Sequence, residues 1–454
     1  MLDKSHAMEL LQSALKKSQA AQTEAVLLGE QIWLTRFAES VIHQNMAIED
    51  TRLVISAVTD KKFGMASTND LSEAGIKDVV DVANKICLLQ KPDDRFVSFP
   101  DPKVAPPLDK GSAAEPNLSY GSGEMAGAVS SAIKACGKNN LEASGAFRHD
   151  VNMVAVANSL GVAQYGRFGK GEFSMTVTGQ GDSSGYSIAY DPDPAKIDFA
   201  AAADRAIKKA QTNIIPVAIP DGQYTVILEP AAVGQLLLFL GFLGFGGKTM
   251  TQHRSFMSDK KGQAITGASI TITDEPDNPM FGGLLFDYEG VTRQKLVCID
   301  HGNGGDAAYD SYYANIAKVP PTGHALPPDN TYGPYPRNMV MAGGDSSLQE
   351  MIASTEKGVL ITHFWYINFL NPMKTMVTGT TRDGTYLIEG GKITSALSNM
   401  RTNQSILEAL TNVEKVSKER LLYPQYSSLM LVPALKVNNF NLAAETKAEW
   451  EGKC

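Results

Sequence analysis

The stretch DGQYTVILEPAAVGQLLLFLGFLGFGGKTMTQHRSFM, residues 221–257, decides the fold, because it joins a strand to a long uncharged helix. Residues 224–228 are rich in β-branched and aromatic side chains, which is typical of a strand. Pro230 suits the first position of a helix, and no residue from there to Gly247 is charged. We therefore predict one buried central helix over 230–247, and if the chain performs chemistry of its own, we expect it first at this junction.

The same apolar segment also has about the minimum length for a membrane span. Gln235 and five glycines interrupt it, and no basic flank marks one side alone. We favour a buried core helix, with a membrane span as the alternative, and expect no membrane partner.

Length and composition predict a globular protein of two or more domains. The chain has 454 residues, of which 43% are hydrophobic and 20% charged, enough to bury a large core. The net charge of -8 argues against direct nucleic-acid binding. Four scattered cysteines without a CxxC pair favour a reducing compartment, and we expect the cytoplasm.

Residues 1–215 predict an N-terminal α/β-mixed domain in which helices flank strands. Strands are predicted at 25–33, 34–46, 51–59, 63–67, 141–149, 151–158, 161–168 and 172–179. Helices are predicted at the N-terminus, from a Ser72 cap to Leu89, at 124–136 and at 196–212. The repeated order suggests two similar halves, 1–90 and 122–212, joined by a proline-rich connector, with chance similarity as the alternative.

Residues 216–454 predict a C-terminal, mostly antiparallel β domain around the central helix, so the fold class is α+β. Strands are predicted at 270–274, 291–299, 358–371, 374–381, 385–389 and 392–397, and short helices at 347–354 and 403–410. Turn residues at 371–372, 382–384 and 390–391 separate the last four strands, which predicts a meander in an open, barrel-like sheet. Residues 302–344 are predicted to be a long ordered loop.

No local motif for catalysis is present in the sequence. No two of the seven histidines lie within five residues, and HExxH, HExxxH, GxSxG and GxxxxGK[ST] are all absent. The segment 300–306, DHGNGGD, lacks the spacing of an EF-hand calcium loop and is better explained as a glycine-rich turn. His301, His363 and Trp365 are candidates to line a substrate groove, with sheet packing as the alternative for the last two.

An ordered set of motifs resembles the TldD/PmbA family, a peptidase-related family also described as modulators of DNA gyrase. The resemblance covers nearly the whole chain, including residues 221–257. Its other motifs are TRFAESVIHQN (35–45), ANSLGV (157–162), SSGY (183–186), DSYYA (310–314), PTGHA (321–325), GVLITHFWYINFLNP (358–372), TGTTRDGTYLIEGGKI (378–393) and PALKVNNFN (433–441).

The resemblance implies a dimerising two-domain protein. In the TldD type, a HExxxH helix and a later cysteine bind zinc, and the pair cleaves extended peptides in an enclosed groove. The TldE/PmbA type lacks the metal motif. In this sequence Pro230, Ala231 and Gln235 occupy the family's metal and base positions, and residues 421–432 contain no cysteine. Cys454 lies beyond that region.

The departures imply a TldE/PmbA-like subunit, inactive alone, with no catalytic or metal residues and no cofactor of its own. Zinc would belong to a TldD-like partner in a heterodimer, and the substrates would be unfolded or extended peptides. The alternatives are a homodimeric peptide- or ligand-binding protein, a gyrase-modulating partner without proteolytic activity, or an enzyme with a site relocated near His301 or His363.

Overall fold

A computed structural model describes residues 1–181, 183–212 and 216–444. Residues 213–215, next to the domain boundary predicted between 215 and 216, lie outside the described residues, as does Cys454. In the N-terminal part the helices are α1 (Lys4–Lys17), α2 (Glu73–Leu89), α3 (Ser122–Gly137) and α4 (Phe199–Thr212). The strands are β1 (Gln22–Ala38), β2 (Val41–Thr59), β3 (Lys62–Thr68), β4 (Glu142–Asn158), β5 (Ala163–Thr178) and β6 (Ser184–Asp191).

The N-terminal strands form an antiparallel sheet in the order β3-β2-β1-β4-β5-β6. Each half contributes a helix, a three-stranded meander and a second helix, and β1 pairs with β4 at the centre. This symmetric order agrees with two similar halves, whose relationship stays a prediction. The Ser72 cap of α2 is confirmed, since its side chain accepts a hydrogen bond from Gly75 N.

Several predicted strand boundaries in this sheet are wrong. The chain turns at Glu39 and Ser40, both with positive φ, and not between residues 33 and 34. The four strands predicted over 141–179 are two long ones, because β4 and β5 continue without a break in register. The proline-bearing turn Pro194–Lys196 delays the start of α4 to Phe199.

The two faces of this sheet have different roles. Ala25, Leu27, Met153 and their neighbours pack under the helices. Val26, Val154 and Val156 point the other way and pack against Leu284 and Phe286 of the C-terminal part. Since alternate residues of a strand face opposite sides, one sheet serves both the N-terminal core and the contact between the two parts.

The C-terminal part contains α5 (Pro230–Gly244), α6 (Gly247–Thr251), α7 (Ser311–Ala317), α8 (Leu348–Ala353) and α9 (Ile406–Thr411). Its strands are β7 (Gly222–Leu228), β8 (Ile272–Asp274), β9 (Leu296–Asp300), β10 (Asn303–Gly304), β11 (Asn338–Met341), β12 (Lys357–Asn371), β13 (Met376–Glu389), β14 (Lys392–Ala396), β15 (Met400–Ser405), β16 (Val413–Gln425) and β17 (Ser428–Ala444).

These strands form one mostly antiparallel sheet in the order β10-β9-β8-β11-β17-β15-β13-β12-β7, with β14 on β13 and β16 on β17. β7 pairs with both β12 and β17, so that the sheet curves into a partly closed ring. The apolar helix α5 packs against β7, β12, β16 and β17 and lies in the main core of this part. The predicted α+β class with a buried central helix is confirmed.

The central helix is shorter than predicted. α5 ends at Gly244, and the backbone extends through Gly246 before α6 begins. A Cβ atom on Gly246 would lie 2.3 Å from the Pro334 carbonyl oxygen, and Gly247 N donates to Ala308 O. The glycines therefore allow two other segments to approach the backbone where the helix stops. In the described residues no helix is long and apolar enough to cross a membrane.

Two strands predicted on either side of 382–384 are one strand, β13. Asp383 and Gly384 have φ of 52° and 131°, yet residues on both sides of them pair with β12. They therefore form a bulge, and not a reversal of the chain. The predicted helix at 403–410 begins only at Ile406, because residues 401–405 belong to β15 and pair with β13. The loop predicted over 302–344 also contains α7 and β11.

Candidate functional site

The first turn of α5 lies where β7 meets the N-terminal part. Glu229 precedes the helix, and its backbone N–H donates to Ile361 O at 2.9 Å. Its carboxylate forms an ion pair with Lys209 of α4, and both side chains are mostly buried. A negative charge beside a helix N-terminus is favourable, so this pair anchors the helix to the N-terminal part.

Gln235 lies one turn further along α5 and is 8% exposed. Its amide Nε2 donates to Phe364 O at 2.8 Å, and its Oε1 accepts a hydrogen bond from Phe364 N at 2.7 Å. The side chain thus bonds both backbone groups of one β12 residue, beside an irregularity in the pairing of β12 with β13. Its amide serves structure and is not free to bind a ligand.

The three residues that the sequence resemblance places at the family's metal and base positions, Pro230, Ala231 and Gln235, do not fit a zinc ion. Pro230 and Ala231 have no donor atom in their side chains, and the Gln235 amide is already bonded at both ends. Tyr423 packs against the same turn, since a Cβ on Gly234 would lie 2.6 Å from its ring. Over the described ranges no group of three or more His, Cys, Asp or Glu side chains is placed to hold a metal ion.

His363, a predicted groove residue, is buried at 5% exposure. Its Nε2 lies 3.0 Å from Asp383 Oδ2 and its Nδ1 lies 3.1 Å from Phe364 O. Tyr186 of β6 stacks on the ring at a centroid distance of 4.2 Å. The residue therefore joins the β13 bulge to the N-terminal part, and its predicted contact with a peptide stays a prediction.

The position of Asp383 beside His363 and Arg382 changes the pKa of its carboxyl group. Burial by itself would raise the pKa of the Asp383 carboxyl, but the hydrogen bond from His363 and the charges of His363 and Arg382 outweigh it. The pKa is therefore lowered from its usual value, and the carboxylate is held in its ionised form next to the histidine.

Trp365, the second groove candidate, begins an exposed apolar arm. The hairpin end formed by residues 365–378, here called the apolar arm, projects beyond the core. Arg382 stacks over the Trp365 ring at 4.7 Å, and Phe239 of α5 packs against Phe369. Five large apolar side chains of the arm are 40–77% exposed: Trp365, Tyr366, Phe369, Leu370 and Met373. Exposed apolar patches of this kind mark interaction surfaces.

One edge of the arm is also free for pairing. β12 pairs with β13 through Asn371, but β7 pairs only with Val359, Leu360 and Ile361 among the residues described. Beyond Phe364, whose backbone N–H and C=O are both bonded by Gln235, the outer edge of β12 therefore presents backbone groups that another strand could use.

His301, the third groove candidate, lies far from the others in the sheet. It occupies the turn between β9 and β10, with φ 44°, whereas His363 is on β12 near the opposite end of the strand order. Its ring is 79% exposed and bonds Asp300 at 2.7 Å. The structure does not bring it together with His363 and Trp365, and the segment is the turn that the sequence predicted.

His324 of the PTGHA motif has a structural position. Its Nε2 lies 3.0 Å from Asp274 Oδ2, which also bonds Arg293 at 3.2 Å, and all three side chains are at most 3% exposed. Asn338 N donates to the other oxygen of Asp274 at 2.6 Å. The network ties the loop after α7 to β8 and β11, which accounts for the histidine without any catalytic role.

Two family models match this chain. The PmbA/TldA metallopeptidase central domain matches residues 116–214, and the corresponding C-terminal domain matches residues 221–444.

The chain belongs to the TldD/PmbA family.

Curated relatives agree with this assignment. A metalloprotease TldD homolog from Haemophilus influenzae is 29% identical over 218 residues, 47% of this chain and 45% of the relative. A metalloprotease PmbA homolog of the same organism is 23% identical, covering 82% of this chain and 81% of its own length. The matches to this TldD homolog and to a zinc metalloprotease TldD homolog from Saccharolobus solfataricus thus span less than half of those proteins.

The fold is that of a solved TldE. The crystal structure of TldE from Thermococcus kodakarensis superposes with a TM-score of 0.87 and 21% sequence identity. The match covers 96% of this chain and all of that one (100%). At this identity the likeness establishes the shared fold.

The sequence did not reveal the apolar arm as a unit. Phe369 and Leu370 lie inside the strand predicted at 358–371 and Met373 lies just after it, and the pattern alone does not show where this strand leaves the core. The signal that could have found them is the cluster of large aromatic and aliphatic residues at 364–370, FWYINFL, at the end of a long predicted strand.

Proposed function

We propose that this chain is the metal-free subunit of a TldD/TldE-type metallopeptidase complex that acts on unfolded or extended peptides. The observation that carries the proposal is the pair of hydrogen bonds between Gln235 and Phe364. At a position where the resemblance implies a metal ligand, this chain has a side chain that is fully used in holding α5 to β12. In this assignment zinc and the catalytic base belong to a TldD-like partner, and this chain is inactive alone.

The apolar arm supplies the surface for that partner. Its five exposed apolar side chains would be buried by association, and about 1.5–3 kcal/mol accompanies full burial of each large one. We assign the metal-bearing relative as the occupant, since a chain without metal ligands at α5 needs a subunit that has them. A second copy of this chain is the competing occupant.

The free edge of β12 fits the proposed substrates. An extended peptide can add to such an edge through backbone hydrogen bonds, which makes little demand on its sequence. Strand addition at this edge also explains why an unfolded chain would be selected over a folded one.

The test is association in solution with a HExxxH-bearing relative from the same source. Light scattering after gel filtration should show a heterodimer for the wild type, and Leu370→Asp should weaken association by about tenfold or more because it buries a charge. The matched control Leu89→Asp, at an exposed leucine near the end of α2, should associate normally. Equal association of both variants, or a homodimer that excludes the relative, would contradict the assignment of the arm.

A further inference from the structure

A cavity of about 450 Å³ lies between the N-terminal sheet and the C-terminal part, away from the apolar arm. Its floor is formed by β1, β4, β5 and β6, and its roof by residues 281–293, 337–338 and the turn between β16 and β17. The volume is within the range of small-molecule sites. Four cationic and three acidic side chains line it: Arg148, Lys170, Arg293, Arg337, Glu30, Asp150 and Glu172.

The floor places opposite charges directly across from each other. In the strand register Asp150 faces Lys170, and Arg148 faces Glu172. Residues in such positions are close enough to form ion pairs. Arg148 instead bonds Asp150 at 2.6 Å and Glu30 at 3.3 Å. Arg148 and Asp150 therefore pair with each other, and neither forms an ion pair with the residue opposite it, Glu172 or Lys170.

Two cations remain without an acidic partner. Arg293 bonds Asp274, but neither Lys170 nor Arg337 lies within 4.0 Å of a carboxylate oxygen in the part of the chain that the structure describes. Lys170 lies over the Phe168 ring at 5.5 Å, and Arg337 over the Tyr288 ring at 5.3 Å. Burial lowers the pKa of the Lys170 ammonium; the charge of Asp150 opposes this effect, and the charge of Arg337 adds to it.

The unused donors in the cavity match an acceptor-rich ligand. Besides the two cations, the buried Asn152 Nδ2 has no hydrogen-bond partner among the described residues. Burial, followed by the charge of Asp150, raises the pKa of Glu172 to about 7, so this group is partly neutral near neutral pH. The unpaired charge facing the cavity is thus positive, and the aromatic rings of Phe168, Tyr190, Phe281 and Tyr288 supply apolar walls.

We propose that this cavity binds a small organic monoanion, a carboxylate that carries an aromatic or aliphatic group and has the size of one or two amino acid residues. The ligand carboxylate lies between Lys170 and Arg337. The planar guanidinium of Arg337 can bond both carboxylate oxygens. The apolar group lies against the aromatic walls. The balance of one to two unpaired positive charges fits one carboxylate better than a multiply charged phosphate compound.

The experiment is calorimetric titration of the full-length chain alone with N-acetylphenylalanine, with its amide and with inorganic phosphate at constant ionic strength. We expect saturable binding of the carboxylate and binding of the amide that is weaker by about tenfold or more, since one charge-assisted hydrogen-bonded pair is lost. Phosphate should bind more weakly than the carboxylate. Because no partner subunit is present, the result is independent of the function proposed above.

Lys170→Met separates binding from folding. Replacing a poorly solvated ammonium by an apolar side chain of similar length should leave the melting temperature within about 4 °C, yet weaken carboxylate binding by about tenfold. Lys103→Met, at an exposed position of the connector, is the control and should bind like the wild type.

Three outcomes would overturn the proposal: no saturable binding of the carboxylate, equal binding of the carboxylate and its amide, or phosphate binding as tight as that of the carboxylate. Unchanged carboxylate binding by Lys170→Met would also overturn it. Arg337→Gln, measured in the same way, provides a second variant if the first does not fold.

Discussion

At the scale of single residues, Gln235 differs most clearly from the metal-binding histidine that the resemblance implies at its position. A glutamine amide has a donor and an acceptor in the spacing of a peptide group, so it can replace a strand neighbour for Phe364. A histidine at the same place would offer its nitrogens to a metal ion. The sequence showed the substitution, but it could not show that the amide is used in full.

Gln235→Ala should destabilise the chain by about 2–4 kcal/mol, because it leaves a buried N–H and a buried C=O of Phe364 without partners. Denaturant unfolding at neutral pH measures the change. Gln12→Ala, on an exposed position of α1, should change the free energy of unfolding by at most about 0.5 kcal/mol. Equal effects of the two variants would show that the Gln235 amide has no structural role.

The lowered pKa of Asp383 predicts that the stability of the fold depends on pH. Its pKa is lower in the folded chain than in the unfolded one, so it contributes stability above the unfolded value of about 3.9 and loses it as pH falls through the folded value. The stability difference between wild type and Asp383→Asn should therefore be largest at neutral pH and shrink in acid. Urea unfolding at a series of pH values measures this, and a difference that does not shrink as the pH falls below about 4 would contradict the lowered pKa of the Asp383 carboxyl.

At the scale of elements, sequence patterns located α5 and β12, but they extended α5 beyond its end and divided β13 into two strands. The apolar run continues to Gly247, and hydrophobicity alone gives no reason for a helix to stop at Gly244. The reason is tertiary, because Pro334 and Ala308 contact the backbone at Gly246 and Gly247. The bulge at Asp383 and Gly384 was mistaken for a turn for the same reason, since only the pairing with β12 distinguishes the two.

The end of α5 can be tested with a matched pair of glycine substitutions. Gly246→Ala should destabilise the chain by about 1–3 kcal/mol, because its Cβ would meet a backbone oxygen at 2.3 Å. Gly127→Ala in the middle of α3, where a Cβ meets nothing within 4 Å, should stabilise it by about 0.5–1 kcal/mol. Thermal unfolding distinguishes these signs, and stabilisation by both variants would show that Gly246 is not sterically required.

At the scale of the whole molecule, composition and motif order predicted the α+β class, the buried central helix and the family. They did not predict how the N-terminal sheet faces the C-terminal part. Asp150 and Lys170 fall in breaks between the predicted strands, and the cavity above them is formed by distant loops, so the sequence did not indicate this site. The candidate groove residues His301 and His363 were also not predicted to lie apart, because the sequence does not give the order of the strands that hold the turn of His301 and the strand of His363.

The most direct test of the central claim is cleavage of an unfolded protein by three samples: this chain alone, a HExxxH-bearing relative from the same source alone, and their equimolar mixture. We predict no cleavage by this chain alone, and cleavage by the mixture that exceeds that of the relative and is abolished by a chelator. Chelator-resistant cleavage by this chain alone, or a mixture no more active than the relative, would contradict the assignment of a metal-free subunit.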